Sequence, residues 1–149
     1  MNNYQPQEDI AQFMKMCGQE VHNTPTIPSK DILLLRAKLL FEEVSEFIEA
    51  AGCFIGMDDE GELTIFTEPD SIPDLVGMYD GLADINYVSY GAANAIGVSM
   101  KLGHEEVHGS NMTKAQPDGT ILKNEFGKVK KGVNYRKPDL QAVLQKQVK

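Results

Sequence analysis

Residues 39–51, LLFEEVSEFIEAA, place Glu42, Glu43 and Glu46 inside one of the most apolar helical runs of the chain. A helix turns about 100° per residue, so positions three or four apart share a face. Leu33, Ala37, Leu40, Val44, Phe47 and Ala51 form one such stripe, expected as a packing seam. Leu34, Phe41 and Ile48 widen the apolar surface on one side, and Leu35 and Leu39 on the other. A helix apolar all round is covered by neighbours on most sides. Burying an unpaired carboxylate costs several kcal/mol, so acids there need a cation or must become neutral. Taken alone, the three glutamates also read as a solvated acidic edge, because Glu is a good helix former.

Charge distribution narrows the choice. Residues 1–113 carry five basic and nineteen acidic side chains, a net −14, whereas residues 114–149 carry nine and three, a net +6. An acidic body with a basic tail suits a cation site beside an anion clamp, and a body this acidic is a poor general binder of nucleic acid. No apolar run is long enough to span a bilayer, and the opening MNNYQPQEDI lacks the basic and apolar regions of a signal peptide. Cys17 and Cys53 form no metal or redox motif and are read as free thiols. A cytoplasmic protein of one domain, residues 1–149, with a core over about 30–115 and a basic tail over about 114–149, is the expectation.

The pattern predicts a first helix over 7–20 and a long one from an N-cap at Ser29 to about Ala51. A small hairpin or ordered loop follows around Asp59-Glu60-Gly61. The next helix is expected from about Pro73 to Gly97, with Ser71 near its cap and Leu75, Met78, Leu82, Ile85 and Ile96 as its core face. A shorter helix covers about 102–114, QPDGTILKNEFGKVKKG reads as a turn and hairpin, and Pro138 opens a short C-terminal helix. The fold class is all-α, an antiparallel helical bundle with a small β-hairpin insertion and an irregular, hairpin-containing tail.

The second long helix answers the first. Asp80, Asp84, Tyr87, Gly91 and Asn94 recur at 4-3-4-3 spacing, and residues 72–100 contain no Lys or Arg. A solvated face normally mixes charges. Two antiparallel helices that each carry carboxylates at i, i+3 or i+4 can converge four or more oxygens. All-carboxylate sites suit hard divalent ions, so Glu42, Glu43, Glu46, Asp80 and Asp84 are candidate ligands for Mg²⁺, with Mn²⁺ the alternative. Mg²⁺ held this way keeps positions for water and phosphate oxygens, which fits phosphoryl chemistry.

EEVSE followed by DGLADINYVSYG resembles the all-α nucleoside triphosphate pyrophosphohydrolases, the superfamily of MazG, the dimeric dUTPases, dCTP pyrophosphatases and phosphoribosyl-ATP pyrophosphohydrolase. Its motif is EExxE with ExxD on the facing helix. Glu42, Glu43 and Glu46 match the first part and Asp84 the closing Asp. Gly81 stands where the motif's Glu would fall, and Asp80, one turn before Asp84, is positioned to replace it. The later EVHGSNMTK and GKVKKGVNYRKPDL are similar to the branch often described as MazG-like, so the resemblance covers roughly residues 30–140. It implies hydrolysis of a nucleotide between its α- and β-phosphates to a monophosphate and pyrophosphate. Metal would bridge the phosphates and acidify the attacking water, and Glu42 or Glu46 would accept that water's proton. Tyr87 is suited either to stacking on a base or to packing, and Asn94 either to reading a base edge or to packing.

The tail offers phosphate donors. Ser110, Asn111 and Lys114 lie in SNMTK, and Lys128, Lys130, Lys131, Tyr135 and Arg136 lie in KVKKGVNYRK, where Gly132 permits close backbone approach. HEEVH, His104 to His108, matches the zinc-protease helix literally, but no later His supplies a third ligand; His108 is expected instead to orient the Ser110-Asn111 turn. Three functions remain open: control of the nucleotide pool by triphosphate hydrolysis, phosphoribosyl-ATP hydrolysis in histidine synthesis, and a non-catalytic helical dimer that binds nucleotide or metal. The expected partners are a nucleotide and further copies of the chain, as homodimer or homotetramer, with neither membrane nor nucleic acid.

Overall fold

Ser29 opens the glutamate helix with extended backbone, φ −60° and ψ 156°, its hydroxyl accepting from the Ile32 N–H at 3.4 Å. In the computed structural model, which describes residues 5–148, the helices are α1 (Pro6–Met16), α2 (Lys30–Ala50), α3 (Leu75–Ile96), α4 (Met100–Met112) and α5 (Leu140–Gln145). Strands β1 (Cys53–Met57) and β2 (Leu63–Thr67) pair antiparallel between α2 and α3. The all-α class with a small β insertion therefore holds. Residues 1–4 of the opening stretch lie outside the described residues. None of the described helices is long and apolar enough to cross a membrane. The chain divides into two compact units. The first comprises the described residues through Val21 with Thr26–Ile96, and the second His22–Pro25 with the residues from Gly97 onward.

In the first unit α2 and α3 run antiparallel, and glycines set their register. A Cβ on Gly77 would lie 3.1 Å from the Ala50 side chain, one on Gly81 3.1 Å from Phe47, and one on Gly91 3.2 Å from the Arg36 guanidinium. Each pair of residue numbers sums to 127 or 128, so the same register brings Glu43 opposite Asp84. Close approach needs residues without bulk, which is why Gly81, Gly91, Ala93 and Ala95 are buried on α3. Toward the C-terminal end of α3, Ile10 and Met14 of α1 join Ala95 in the apolar core, with Val21, Ile32 and Tyr90 packed around it. The hairpin is held by the five-residue register Cys53↔Thr67 to Met57↔Leu63, with Phe54 and Phe66 stacked at 5.4 Å.

This packing corrects the expected core. On α2 the buried residues are Arg36 and Ile48, while Leu33 and Val44 of the predicted seam are exposed. On α3 the predicted core residues Leu75 and Leu82 are exposed, at 76% and 47%, and the stripe with Asp84, Gly91 and Asn94 is the packed side. Large apolar residues mark where burial is wanted, but small ones mark where two backbones can meet, and here the small ones decided. The start of α3 is also corrected. Asp74, not Ser71, caps it: its carboxylate accepts from the Val76 N–H at 2.9 Å and its carbonyl from the Met78 N–H.

In the second unit Ser99 caps α4, accepting from the Leu102 N–H at 3.3 Å. Gly97 adopts φ +69°, and a Cβ there would collide with the Thr24 carbonyl oxygen, so the helix end needs glycine for both reasons. Of the predicted tail hairpin the structure keeps one antiparallel bridge, Lys123↔Val129. Between them the Asn124 side chain accepts from the N–H groups of Phe126 and Lys128, taking donors that a longer ladder would use. Asp139 caps α5 through the Ala142 N–H.

Candidate active site

The antiparallel seam gathers the predicted carboxylates. Glu43 and Asp84 are half-buried on facing turns of α2 and α3, and Glu42, Glu46 and Asp80 are exposed around them. Burial pushes the Glu43 carboxyl above the usual carboxylate range, and the negative charges of Asp84, Glu46, Glu42 and Asp80 push it the same way. Every charge raising Glu43 is another carboxylate of the predicted set.

The donor chemistry fits a hard divalent ion: all oxygen, from adjacent turns of two helices. The geometry is not ready-made, since among the described residues no three carboxylate, imidazole or thiol groups stand together as a metal-holding cluster. Like charges spread apart, and Glu42, Glu46 and Asp80 are exposed enough for rotamer changes to bring them inward.

The other candidates separate into two groups. Tyr87 is 43% exposed and meets Phe13 of α1 edge-on, ring centroids 6.2 Å apart. It also lines a shallow cavity of about 200 Å³ with Asp9, Asn86 and Tyr90. Asn94 is buried, and its amide accepts from Gln7 Nε2 at 3.2 Å and donates to the Gln7 carbonyl at 3.0 Å. Of the two roles open to Asn94, that arrangement favours packing, because pinning α1 to α3 uses the groups a base edge would need.

The tail residues lie on or near α4. Ser110 and Asn111 belong to its last turn, so there is no separate turn for His108 to orient. The buried Ser110 hydroxyl donates to the Arg136 carbonyl at 2.8 Å. Lys114 is half-buried, and the exposed Lys131 ammonium sits 5.0 Å from the Tyr135 ring centroid, a cation–π distance. Gly132 does permit close approach, but to the carbonyls of Lys114 and Ala115, which a Cβ would meet at 2.5 and 2.9 Å.

Arg36 escaped the sequence reading. It is 9% exposed, donates to Gln19 Oε1 at 2.7 Å, and its Nε has no partner among the described residues; burial pulls its pKa down. Its signal was spacing, seven residues before Glu43 on the same helix face. Arg136, one of the expected phosphate donors, is engaged within the chain instead. The Arg136 guanidinium pairs with the Glu106 carboxylate, which also accepts from the Asp139 N–H at 2.9 Å. The Arg136 N–H donates to the Thr113 hydroxyl at 3.0 Å. Glu106, Ser110 and Thr113 recur at 4-3 spacing, which was legible but carried no chemistry that pointed to a tail.

A helical unit whose two longest helices face each other across carboxylates defines the class first. Residues 10–111 match the family model described as phosphoribosyl-ATP pyrophosphohydrolase. The chain belongs to that family, within the MazG-like all-α pyrophosphohydrolase superfamily. It is accordingly a hydrolase acting on phosphoric anhydride bonds, which sets aside the non-catalytic regulator. The match runs from α1 into the last turn of α4 and includes every candidate carboxylate. Among curated proteins none matches the chain closely enough to count as a relative.

Proposed function

We propose that the chain is a Mg²⁺-dependent nucleoside triphosphate pyrophosphohydrolase that cleaves between the α- and β-phosphates and controls the nucleotide pool. The observation that carries this reading is the opposition of Glu43 and Asp84 across the seam, with Glu42, Glu46 and Asp80 acting on the same carboxyl. When bound there, Mg²⁺ (or Mn²⁺) would offset phosphate charge and acidify a water. Glu43, Asp80 and Asp84 hold it together with Glu42 and Glu46. Whichever of Glu42 and Glu46 is less engaged as a ligand takes the proton from the attacking water. Tyr87 offers an exposed ring to the base, and Asn111, Lys114, Lys131 and Tyr135 offer donors and a ring on the basic side. A triphosphate carries about four negative charges, and a body at −14 repels it unless local cations offset that field.

A second reading is favoured by the family match itself: phosphoribosyl-ATP as substrate, in histidine synthesis. Both readings place the protein in the cytoplasm. We also read it as an oligomer, a homodimer first and a homotetramer second. Phe41 on α2 and Leu75, Val76 and Tyr79 on α3 are 62–77% exposed, more apolar surface than isolated helices leave in water. Pyrophosphate release from a panel of nucleoside triphosphates and phosphoribosyl-ATP, with and without Mg²⁺, tests the activity. Turnover of triphosphates with Mg²⁺ supports the first reading, and turnover of phosphoribosyl-ATP alone supports the second. No pyrophosphate from any of them contradicts both.

A further inference from the structure

His104 and His108 are left over from the reaction proposed above. They stand one turn apart on α4, both exposed, with imidazole rings parallel to within 1° and centroids 6.0 Å apart. We propose that this pair is a two-imidazole site for a borderline transition-metal ion, Zn²⁺ foremost, separate from the carboxylates and without a part in phosphate hydrolysis. Imidazole suits Zn²⁺, Cu²⁺ and Ni²⁺, whereas Mg²⁺ prefers oxygen. The i, i+4 spacing is the one by which a helix presents two histidines to a single zinc. Parallel rings on one face need only side-chain rotation to bring a nitrogen from each to about 2.0–2.1 Å from the ion. No third carboxylate, imidazole or thiol joins them among the described residues, so water completes the coordination and the ion exchanges reversibly.

What the ion does follows from the helix it bridges. Gly103 and Gly109 bracket the pair. A Cβ on Gly109 would lie 3.2 Å from the Arg136 guanidinium, so glycine makes room there. A Cβ on Gly103 would meet nothing within 4 Å, so no packing demands that glycine, and it weakens the helix relative to alanine. The turn between them carries Glu106, which holds Arg136 and the Asp139 N–H. An ion across His104 and His108 clips this weak turn and, by mass action, stabilises the seat of the tail.

The test is a calorimetric titration of the full chain with Zn²⁺, carried out in Asp84→Asn, where the carboxylate site is disabled, and in Asp84→Asn combined with His104→Ala or with His108→Ala, alongside amide hydrogen exchange. Both histidines are exposed, and circular dichroism checks that each variant keeps its helices. Expected are one saturable ion per chain in Asp84→Asn, loss of that binding when either histidine is also replaced, and slower exchange of the α4 amides when Zn²⁺ is added to Asp84→Asn. Zinc binding in Asp84→Asn that survives either histidine replacement, or no zinc binding in Asp84→Asn, overturns the site. Unchanged exchange in α4 on saturation overturns the clip.

Discussion

Glu43 and Glu106 are the same side chain in opposite surroundings. Glu106 sits on α4 with a guanidinium and a backbone N–H pointed at it, and the Arg136 hydrogen bond holds its carboxyl below the usual range. Glu43 sits on α2 among four other carboxylates, and burial and like charge hold it above that range. The first arrangement is complete in itself: both partners belong to the chain, and the result is an anchored tail. The second leaves negative charge facing negative charge across a helix seam, which costs stability at neutral pH and gains nothing unless a cation arrives. On the proposed reading, the satisfied Glu106 is structural and the five carboxylates left together are kept for a ligand.

The largest effect should come from the seam. Asp84→Asn and Glu43→Gln should each lower kcat about a hundredfold or more, since an amide ligates Mg²⁺ weakly and leaves phosphate charge unopposed. Far-UV circular dichroism should show unchanged helicity. Glu43→Gln should also raise the melting temperature without metal. Its folded-state pKa is raised, so the stability linked to its proton is present in acid and lost as pH rises through the folded value. The neutral variant keeps that stability at pH 7. Near-native turnover in either variant would erase the distinction between the two glutamates.

Next come the lysines. Lys114→Ala and Lys131→Ala should each reduce kcat/KM for a triphosphate by about 1–3 kcal/mol if the phosphate contact is charge-assisted and partly buried. Inhibition by the monophosphate product should change less, and equal losses for both ligands would show a general effect of charge. Arg36 sharpens the comparison from the cationic side. It is buried with no carboxylate partner among the described residues, so Arg36→Met should be neutral or stabilising by about 1 kcal/mol or more in urea unfolding. A clear loss of stability would show that the Gln19 hydrogen bond outweighs the buried charge.

The smallest effect concerns pH at the anchor. The Glu106 pKa is depressed, so its stabilisation is present above the unfolded value and lost as pH falls through the folded one. Hydrogen exchange of α5 should therefore quicken below the usual carboxylate range in the wild type and be insensitive to that change in Glu106→Gln. Because the Arg136 side chain is exposed, the effect should also shrink in salt.

The helices were legible because their signals are local: Ser29 caps the long one and apolar periodicity runs through them, whereas the Ser99 cap that starts α4 at Met100 was not read. Which face packs was not, because burial depends on how closely two backbones approach. Gly81 and Gly91 set that distance, while Leu75 and Leu82, the obvious core residues, stay outside. The five carboxylates could be picked out since Glu42, Glu43 and Glu46 interrupt an apolar helical run and Asp80 and Asp84 stand in a stretch without Lys or Arg. Asn94 was ambiguous, and Ser110 was read only as a phosphate donor, for one physical reason: an amide or hydroxyl that binds a ligand and one that ties two segments together have the same sequence signature. Arg36 carried no such signal because a basic residue on a helix reads as surface, as Lys30 and Lys38 do, until Gly91 is seen opposite it.

The central claim is that the α2–α3 carboxylates exist to hold a divalent ion. Calorimetric titration with Mn²⁺ of the wild type, Asp84→Asn and Glu43→Gln tests it most directly. Saturable binding in the wild type, lost in both variants while circular dichroism stays constant, is the predicted result. Mn²⁺ binding of equal strength in all three proteins would contradict the account.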